Sequence, residues 1–342
     1  MTPAPPRRAL LARLVGLTSG LSAFLLVTIL LAAGIGAEPV PLAVIADSVR
    51  RALGHLPPGP QAHLATIFWQ LRLPRVALGA IVGMALSVAG GSLQGLLMNP
   101  LADPYLVGVS AGAALGASAA LLFHVGDLGG GIAKCLIAFL AGAGTMVIVL
   151  WLARSRRRIS RDAFILAGVV VGSFMWALVT MVMSFAGTDL QVIVHWLMGN
   201  LSSEVNWSVV AVTAVVSLAG CVALYSYARD LNLLALGEEQ ARQLGVETES
   251  LKLGVILCSA LVTAAAVSVS GIIGFVGLVV PHIARKLFGP DHRVLLPASG
   301  LLGAAFLVWA DTLARGLGEY FPVGVLTSLL GAPFFFYLLK RR

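Results

Sequence analysis

Charged side chains are scarce in this sequence: 11% of its 342 residues are Asp, Glu, Lys or Arg, against about a quarter in soluble globular domains. With 58% hydrophobic residues and a mean hydropathy of +0.95, the shortage excludes an ordinary soluble domain and leaves a polytopic membrane protein. Lysine is rarer still. Its four occurrences, Lys134, Lys252, Lys286 and Lys340, never follow a glycine, so the chain has no phosphate loop ending in Gly-Lys-Ser/Thr and no nucleotide site of its own. The three cysteines, Cys135, Cys221 and Cys258, each lie in an apolar stretch; this excludes a disulfide framework and a metal-ligand spacing and leaves small core residues. No His-Glu-x-x-His occurs among the six scattered histidines, so metalloprotease chemistry is excluded and neither a metal nor a cofactor is expected. The alternating strands of about ten residues that build membrane barrels are missing as well.

What is there is a series of apolar runs about 20 residues long, the length of a helix that crosses a bilayer. Runs bounded by charge, proline or glycine give ten spans, at 14–36, 76–97, 105–124, 132–153, 163–186, 207–228, 252–269, 271–288, 294–314 and 322–339. The seventh and eighth are divided at Ser270-Gly271, because one helix through both would far exceed a bilayer. The first span follows Arg7, Arg8 and Arg13 and is too long for the apolar region of a signal peptide, so it reads as a retained helix. The 38 glycines fall mostly inside the apolar runs, where small residues let helix backbones approach closely. The expected fold is an all-α polytopic bundle of about ten transmembrane helices, one domain over 1–342.

An even number of spans puts both tails on one side, and both are basic: Arg7, Arg8 and Arg13 at the front, Lys340, Arg341 and Arg342 at the back. Cytoplasmic loops carry the excess of Lys and Arg, so that side reads as the cytoplasm. It also receives Arg154, Arg156, Arg157, Arg158 and Arg161, then Arg229, Arg242 and Lys252, then Arg285, Lys286 and Arg293. Seventeen of the 23 basic residues are thereby cytoplasmic. The net charge of +8 follows from topology, and no nucleic-acid partner is expected. Six cations remain outside, against the rule. Arg50, Arg51 and Lys134 are expected to snorkel or to pair locally with Asp47 or Asp311. Arg72 and Arg75 bracket Leu73-Pro74, and Arg315 lies four residues after Asp311; these three form a candidate external patch for an acidic partner.

Few motifs carry chemistry. Gly108-Val109-Ser110-Ala111-Gly112 has the spelling of a hydrolase nucleophile elbow, but it opens an apolar helix where that motif needs a strand-to-helix turn, so catalysis by Ser110 is not expected. His195, beside Trp196, is a candidate contact for a metal chelate, with a backbone-bonded interfacial histidine as the plainer reading; His282 after Pro281 reads as structural. The segment from Leu231 to Val246 reads as two short amphipathic helices broken at Gly237 and stopped at Gly245, either a solvated loop or a surface that receives force from a soluble partner.

Taken together, several stretches resemble the FecCD/BtuC-type permeases of ATP-binding-cassette importers. They are Arg72-Leu73-Pro74-Arg75, Gln94 with Asn99-Pro100-Leu101-Ala102-Asp103-Pro104, Leu236-Gly237 to Gly245-Val246, Gly271 to Arg285, Gly289 to Arg293, Ala310-Asp311 with Ala314-Arg315, Pro322-Val323-Gly324, and Gly331-Ala332-Pro333. The resemblance covers nearly the whole chain after the first span. It implies the type II importer permease fold and uptake of a bulky iron chelate, such as a ferric siderophore or haem, or of a corrinoid such as cobalamin. It also implies a homodimer in a bacterial or archaeal cytoplasmic membrane, two cytoplasmic ATPase subunits and an extracytoplasmic substrate-binding protein. Residue by residue, it assigns binding-protein docking to Arg72, Arg75 and Arg315 and the cytoplasmic gate to Asn99 and Leu101. ATPase coupling falls to Leu236, Gly237, Glu238, Ala241, Leu244 and Gly245 within a loop at 229–251. The run Gly318 to Pro322 is about two residues shorter than the family's Pro-x-Glu-Leu-Pro, so Glu319 receives no role. The competing reading, a secondary transporter driven by an ion gradient, calls for ionisable residues at the bilayer midplane or paired broken helices, and the spans are nearly free of charge.

Overall fold

The computed structural model describes residues 7–36, 38–55, 57, 59, 61–125, 131–155, 158–201, 205–318 and 321–340. It is nearly all helical. Helix α1 (Arg7–Gly34) is followed by α2 (Leu42–Leu53) and by short α3 (Ala62–Thr66), which runs through a π-helical stretch (Ile67–Arg72) into α4 (Leu73–Leu96). A 3-10 turn (Pro104–Val107) leads to α5 (Val109–Leu122) and α6 (Ile132–Ala153), then to an antiparallel pair of two-residue strands, β1 (Arg154–Ser155) and β2 (Arg158–Ile159). The remainder comprises α7 (Arg161–Phe185), a further 3-10 turn (Gly187–Asp189), α8 (Leu190–Leu197), α9 (Trp207–Ser226), α10 (Ala228–Leu234), α11 (Glu238–Gln243), α12 (Thr248–Ser270), α13 (Val276–Phe288), α14 (His292–Leu317) and α15 (Val323–Lys340).

Seven of these, α1, α3 running into α4, α6, α7, α9, α12 and α14, are long and apolar enough to cross a membrane. The chain is thus a multi-pass membrane protein. Each of the ten spans read from the sequence contains a helix, but α5 has 14 residues and α13 has 13. Length alone therefore supports seven crossings and leaves α5, α13 and α15 as shorter segments.

The long helices divide by burial. Some 83% of the apolar window of α4 and 72% of those of α12 and α14 are buried, against 6% for α1 and 28% for α6 and α7. Lipid tails are as apolar as leucine, so what draws helices together is close packing. Glycine supplies it at the centre. A Cβ on Gly83 would lie 2.2 Å from the Gly303 carbonyl oxygen of α14, and one on Gly90 would lie 1.9 Å from that of Gly277 in α13. Both crossings are closed to any larger residue.

Two departures from the sequence reading follow from backbone geometry. The division at Ser270-Gly271 holds, yet helix does not resume until Val276; residues 271–275 are irregular, with Gly271 at φ +65° and Phe275 at φ +67°. Non-helical backbone inside a bundle needs partners from the protein. Tyr105 provides them, its hydroxyl donating to Ile273 O (2.9 Å) and accepting from Ile273 N (3.1 Å), while Asn200 N donates to Ser270 O (2.8 Å). The second departure is α2, which has no counterpart among the spans: at 12 residues it is too short to cross and packs Ile45 inward while Leu42 and Leu53 stay exposed.

Candidate functional site

Side-chain contacts define two polar ends of the bundle. At the first, the end of α1, the start of α4 and the end of α14 converge on three arginines. A helix leaves its last four carbonyls without partners, and α1 has them met from outside. Arg72 donates to Ala33 O (3.3 Å), Gly34 O (3.1 Å) and Glu38 O; Arg315 donates to Ala32 O (3.2 Å), Ile35 O (3.0 Å) and Thr312 Oγ1 (3.1 Å). Arg75 grips both oxygens of Asp311 at 2.7 to 3.1 Å, and Arg315 Nε lies 3.2 Å from the same carboxylate. Asp311 is 2% exposed and the side chains of Arg75 and Arg315 14% and 13%. The three residues singled out from the sequence as an external patch are therefore together, but they do not stand free at the surface: each guanidinium is held within the protein. Arg50 and Arg51 pair with Asp47 at 2.9 and 2.6 Å as expected, and the hydrogen bonds from Arg51 and Arg50 hold that carboxyl below the usual carboxylate range. Lys134 does not snorkel; it is buried.

At the opposite end lies the turn after α4. Asn99 uses its side chain locally, its Oδ1 accepting from Leu101 N at 2.9 Å, while Gln94 O accepts from Asn99 N (3.1 Å) and Gly95 O from Met98 N (3.3 Å). Leu101 is half-buried beside this turn. Gln94 clamps the far side: its Nε2 donates to Ala102 O (3.4 Å), Gly277 O (3.4 Å) and Leu278 O (3.2 Å), and its Oε1 accepts from Arg285 (3.1 Å). Asp103 caps the following 3-10 turn by accepting from Tyr105 N at 2.8 Å. Burial pushes its carboxyl up to about 6 against that bond.

The segment between α9 and α12 folds as two short helices, α10 and α11, broken at Gly237 (φ +120°) and stopped at Gly245 (φ +87°). Glycine is required at both, since the left-handed half of backbone space is closed to most side chains. Leu236 and Leu244 are each 58% exposed and Gly245 is exposed, whereas Ala241 is fully buried. Glu238 faces inward to a charged cluster. Lys252 on α12 reaches Glu238 (2.9 Å), Glu249 (2.9 Å) and Ile159 O (3.2 Å); Glu249 accepts from Ile159 N (2.9 Å), and Arg242 pairs with Glu238 (2.6 Å). α11, α12 and the β1–β2 hairpin are thereby one unit. Burial opposes the charge on Glu238, but Lys252 and then Arg242 outweigh it and hold the carboxyl below its usual range.

Between the ends runs a groove of about 580 Å³ lined by Leu197, Met198, Ile272, Gly274, Gly324, Val325, Ser328, Leu329, Ala332 and Pro333. Its walls are the end of α8, the irregular 271–275 segment and α15, and they are mostly apolar. His195 bonds the Asn200 side chain at 2.6 Å, where a backbone partner had been expected, and His282 stacks edge-on to Phe334 with ring centroids 6.4 Å apart. Among the described residues no group of three His, Cys, Asp or Glu side chains could hold a metal ion. Glu319 lies outside the described residues. Sequence reasoning missed Tyr105, Asn232, Glu249 and the partners of Lys252; contacts such as Tyr105–Ile273, Asn232–Asp291 and Ile159–Glu249 join elements far apart in the chain, while Glu249 lies one helical turn from Lys252.

Comparison with known proteins settles the family. Residues 24–341 match the FecCD transport family. The chain belongs to that family. It is 42% identical over 311 residues to the cobalamin import system permease BtuC of Halobacterium salinarum, covering 90% of this chain and 81% of that one. It is also 42% identical over 283 residues to the hemin transport system permease HmuU of Yersinia pestis, covering 81% and 84%. A metal-chelate type ABC transporter solved in an inward-facing conformation superposes with a TM-score of 0.80 at 33% identity, over 96% of this chain and 99% of that one. This FecCD chain is accordingly the permease subunit of an ATP-binding-cassette importer and not an enzyme, and ATP hydrolysis belongs to a separate subunit. Membership decides against the gradient-driven reading.

Proposed function

We propose that this permease imports a bulky chelate, a corrinoid, haem or ferric siderophore, across the cytoplasmic membrane of a bacterium or archaeon. The observation that carries the cargo class is the near full-length likeness to permeases named for cobalamin and hemin. The mostly apolar groove beside α8 and α15 suits a path that passes a large ligand without holding it. In this reading the chain crosses ten times, with α5, α13 and α15 completing the seven long spans. Two copies pack with their grooves facing, through the exposed side chains of Val192, Leu329 and Phe336. The end that carries Arg154, Arg161, Arg242, Arg285 and Arg293 faces the cytoplasm by the charge rule. There α10 and α11 meet the ATPase through Leu236, Gly237, Leu244 and Gly245, with Glu238 and Ala241 anchoring α11 from beneath, and Asn99 and Leu101 form the gate. The mouth gathered by Arg72, Arg75 and Arg315 receives the external binding protein, the outward edges of Arg75 and Arg315 meeting acidic side chains.

The test is ATP-driven uptake by vesicles that contain the chain, its ATPase and its binding protein, offered cobalamin, haem and a ferric siderophore in turn. Uptake of one of them that stops without ATP is expected. Uptake that persists without ATP and follows an ion gradient would overturn the reading. For orientation, a thiol at Gln243 should resist an impermeant reagent in intact cells while one at Leu53 reacts.

A further inference from the structure

We infer that Asn232, Asp291 and His292 form a polar relay that carries movement of the α10–α11 segment to the turn at Asn99, which makes Asn232 and His292 positioning residues for transport. The inference rests on the coupling and gating roles proposed above. Asn232 is half-buried on α10, between the buried Leu231 and Leu234. Its Oδ1 accepts from the His292 backbone N (2.9 Å) and from His292 Nδ1–H (2.8 Å), and its Nδ2 donates to Asp291 Oδ1 (2.7 Å). Asp291 in turn caps α14, accepting from Arg293 N at 3.0 Å. One amide thus fixes the first turn of α14 in both position and rotation.

His292 passes that restraint to α4. The ring is 5% exposed, and a Cβ on Gly95 would lie 2.3 Å from its Nε2, so the imidazole rests directly on the α4 backbone. Nε2 has no hydrogen-bond partner among the described residues. Burying such an atom unpaired is unfavourable, so the ring is not held there by a bond to α4; the Asn232 contacts set its place. Gly95 O and Gln94 O are the acceptors that hold Met98 and Asn99, and Met98 sits at φ +48°, a strained conformation for a side chain of its size. Displacing the ring therefore shifts the carbonyls on which the turn hangs. On the far side Gln94 and Arg285 hold Ala102 to α13, so the turn is gripped at both ends and only one grip leads to α10. The plainer alternative is a staple joining α10 to α14 with no effect on the turn.

The two are separated by a fluorophore sensitive to its surroundings, attached at Met98→Cys (43% exposed) in a chain whose three native cysteines are replaced. The chain is placed in vesicles with its ATPase subunits. ATP should change the emission. Asn232→Asp, which sets two carboxylates against each other, and Asn232→Ala should each reduce that change at least five-fold and lower transport in proportion. An unaltered response in a folded Asn232→Ala or Asn232→Asp protein overturns the relay. The coupling role itself fails separately, if Leu236→Arg and Leu244→Arg leave ATPase binding intact; the emission change still reads the relay in that case.

Discussion

The two ends of the bundle use the same kinds of charged side chain for different ends. At the arginine end the guanidinium groups of Arg72 and Arg315 donate to carbonyls of α1 and the chain beyond it, and Arg75 is locked to a buried carboxylate. At the opposite end the charged and polar groups mostly meet other side chains: Lys252 to Glu238 and Glu249, Asn232 to Asp291 and His292. Helix-end carbonyls are fixed in direction by the helix that carries them, so a guanidinium bound to several of them is immobilised. Pairs between side chains tie short α10 and α11 to the ends of long α12 and α14, so these elements shift as a linked group. The first end is built as a clamp and the second as a linkage.

The comparison breaks most sharply at Asp311. Asp311→Ala leaves Arg75 and Arg315 buried without their counter-ion, and losing one member of a buried pair costs about 3 to 5 kcal/mol. The whole protein should unfold earlier in detergent, with a lower Tm, and if Tm is unchanged the clamp is no clamp. Lys252→Met should cost less, about 1.5 to 3 kcal/mol for charge-assisted bonds, and the loss should stay local. Hydrogen exchange should quicken at Ile159 and along α11 while α4 and α14 keep their protection. Equal quickening throughout would erase the distinction between the ends.

The third prediction uses pH. Asp103 has a folded value near 6, raised by burial above an ordinary 3.8, so its contribution is fully present below about pH 4 and is lost as pH rises through 6. Asp103→Asn keeps the cap on Tyr105 N and removes the titration. It should therefore be more stable than the parent at pH 7 by on the order of 1 kcal/mol, with the gap closing at pH 4. Glu238 and Asp291 have the opposite sign. Their folded values are depressed, so what they add is present above the ordinary carboxylate values and is lost as pH falls below them. The smallest effect belongs to Arg50. Its side chain is 72% exposed in its pair with Asp47, and exposed pairs contribute little. Arg50→Ala should leave Tm unmoved, and a clear drop would show α2 to be part of the clamp.

Much of this was legible in the sequence, and the pattern of success has a cause. The break after Ser270, the two helices around Gly237 and the stop at Gly245 were read in advance, because glycine and span length act within a few residues of where they are written. The five irregular residues 271–275 were not, since what permits them is the Tyr105 hydroxyl, 168 residues away in the chain. Arg72, Arg75 and Arg315 stand out in the sequence as charges placed against the topological rule, and the structure brings the three together. Their burial was not foreseen, because nothing in their spacing shows that α1 ends beside them with its carbonyls unmet.

Sequence alone determined that the chain crosses a membrane repeatedly as helices. This is a property of composition within windows of about 20 residues, the length over which a bilayer imposes its own selection. Only the tertiary structure decided which charges are occupied and which surfaces stay free. Arg75 and Asp311 stand 236 residues apart. They meet because Gly83 and Gly303 let α4 and α14 pack nearly backbone to backbone, a contact that neither helix specifies by itself.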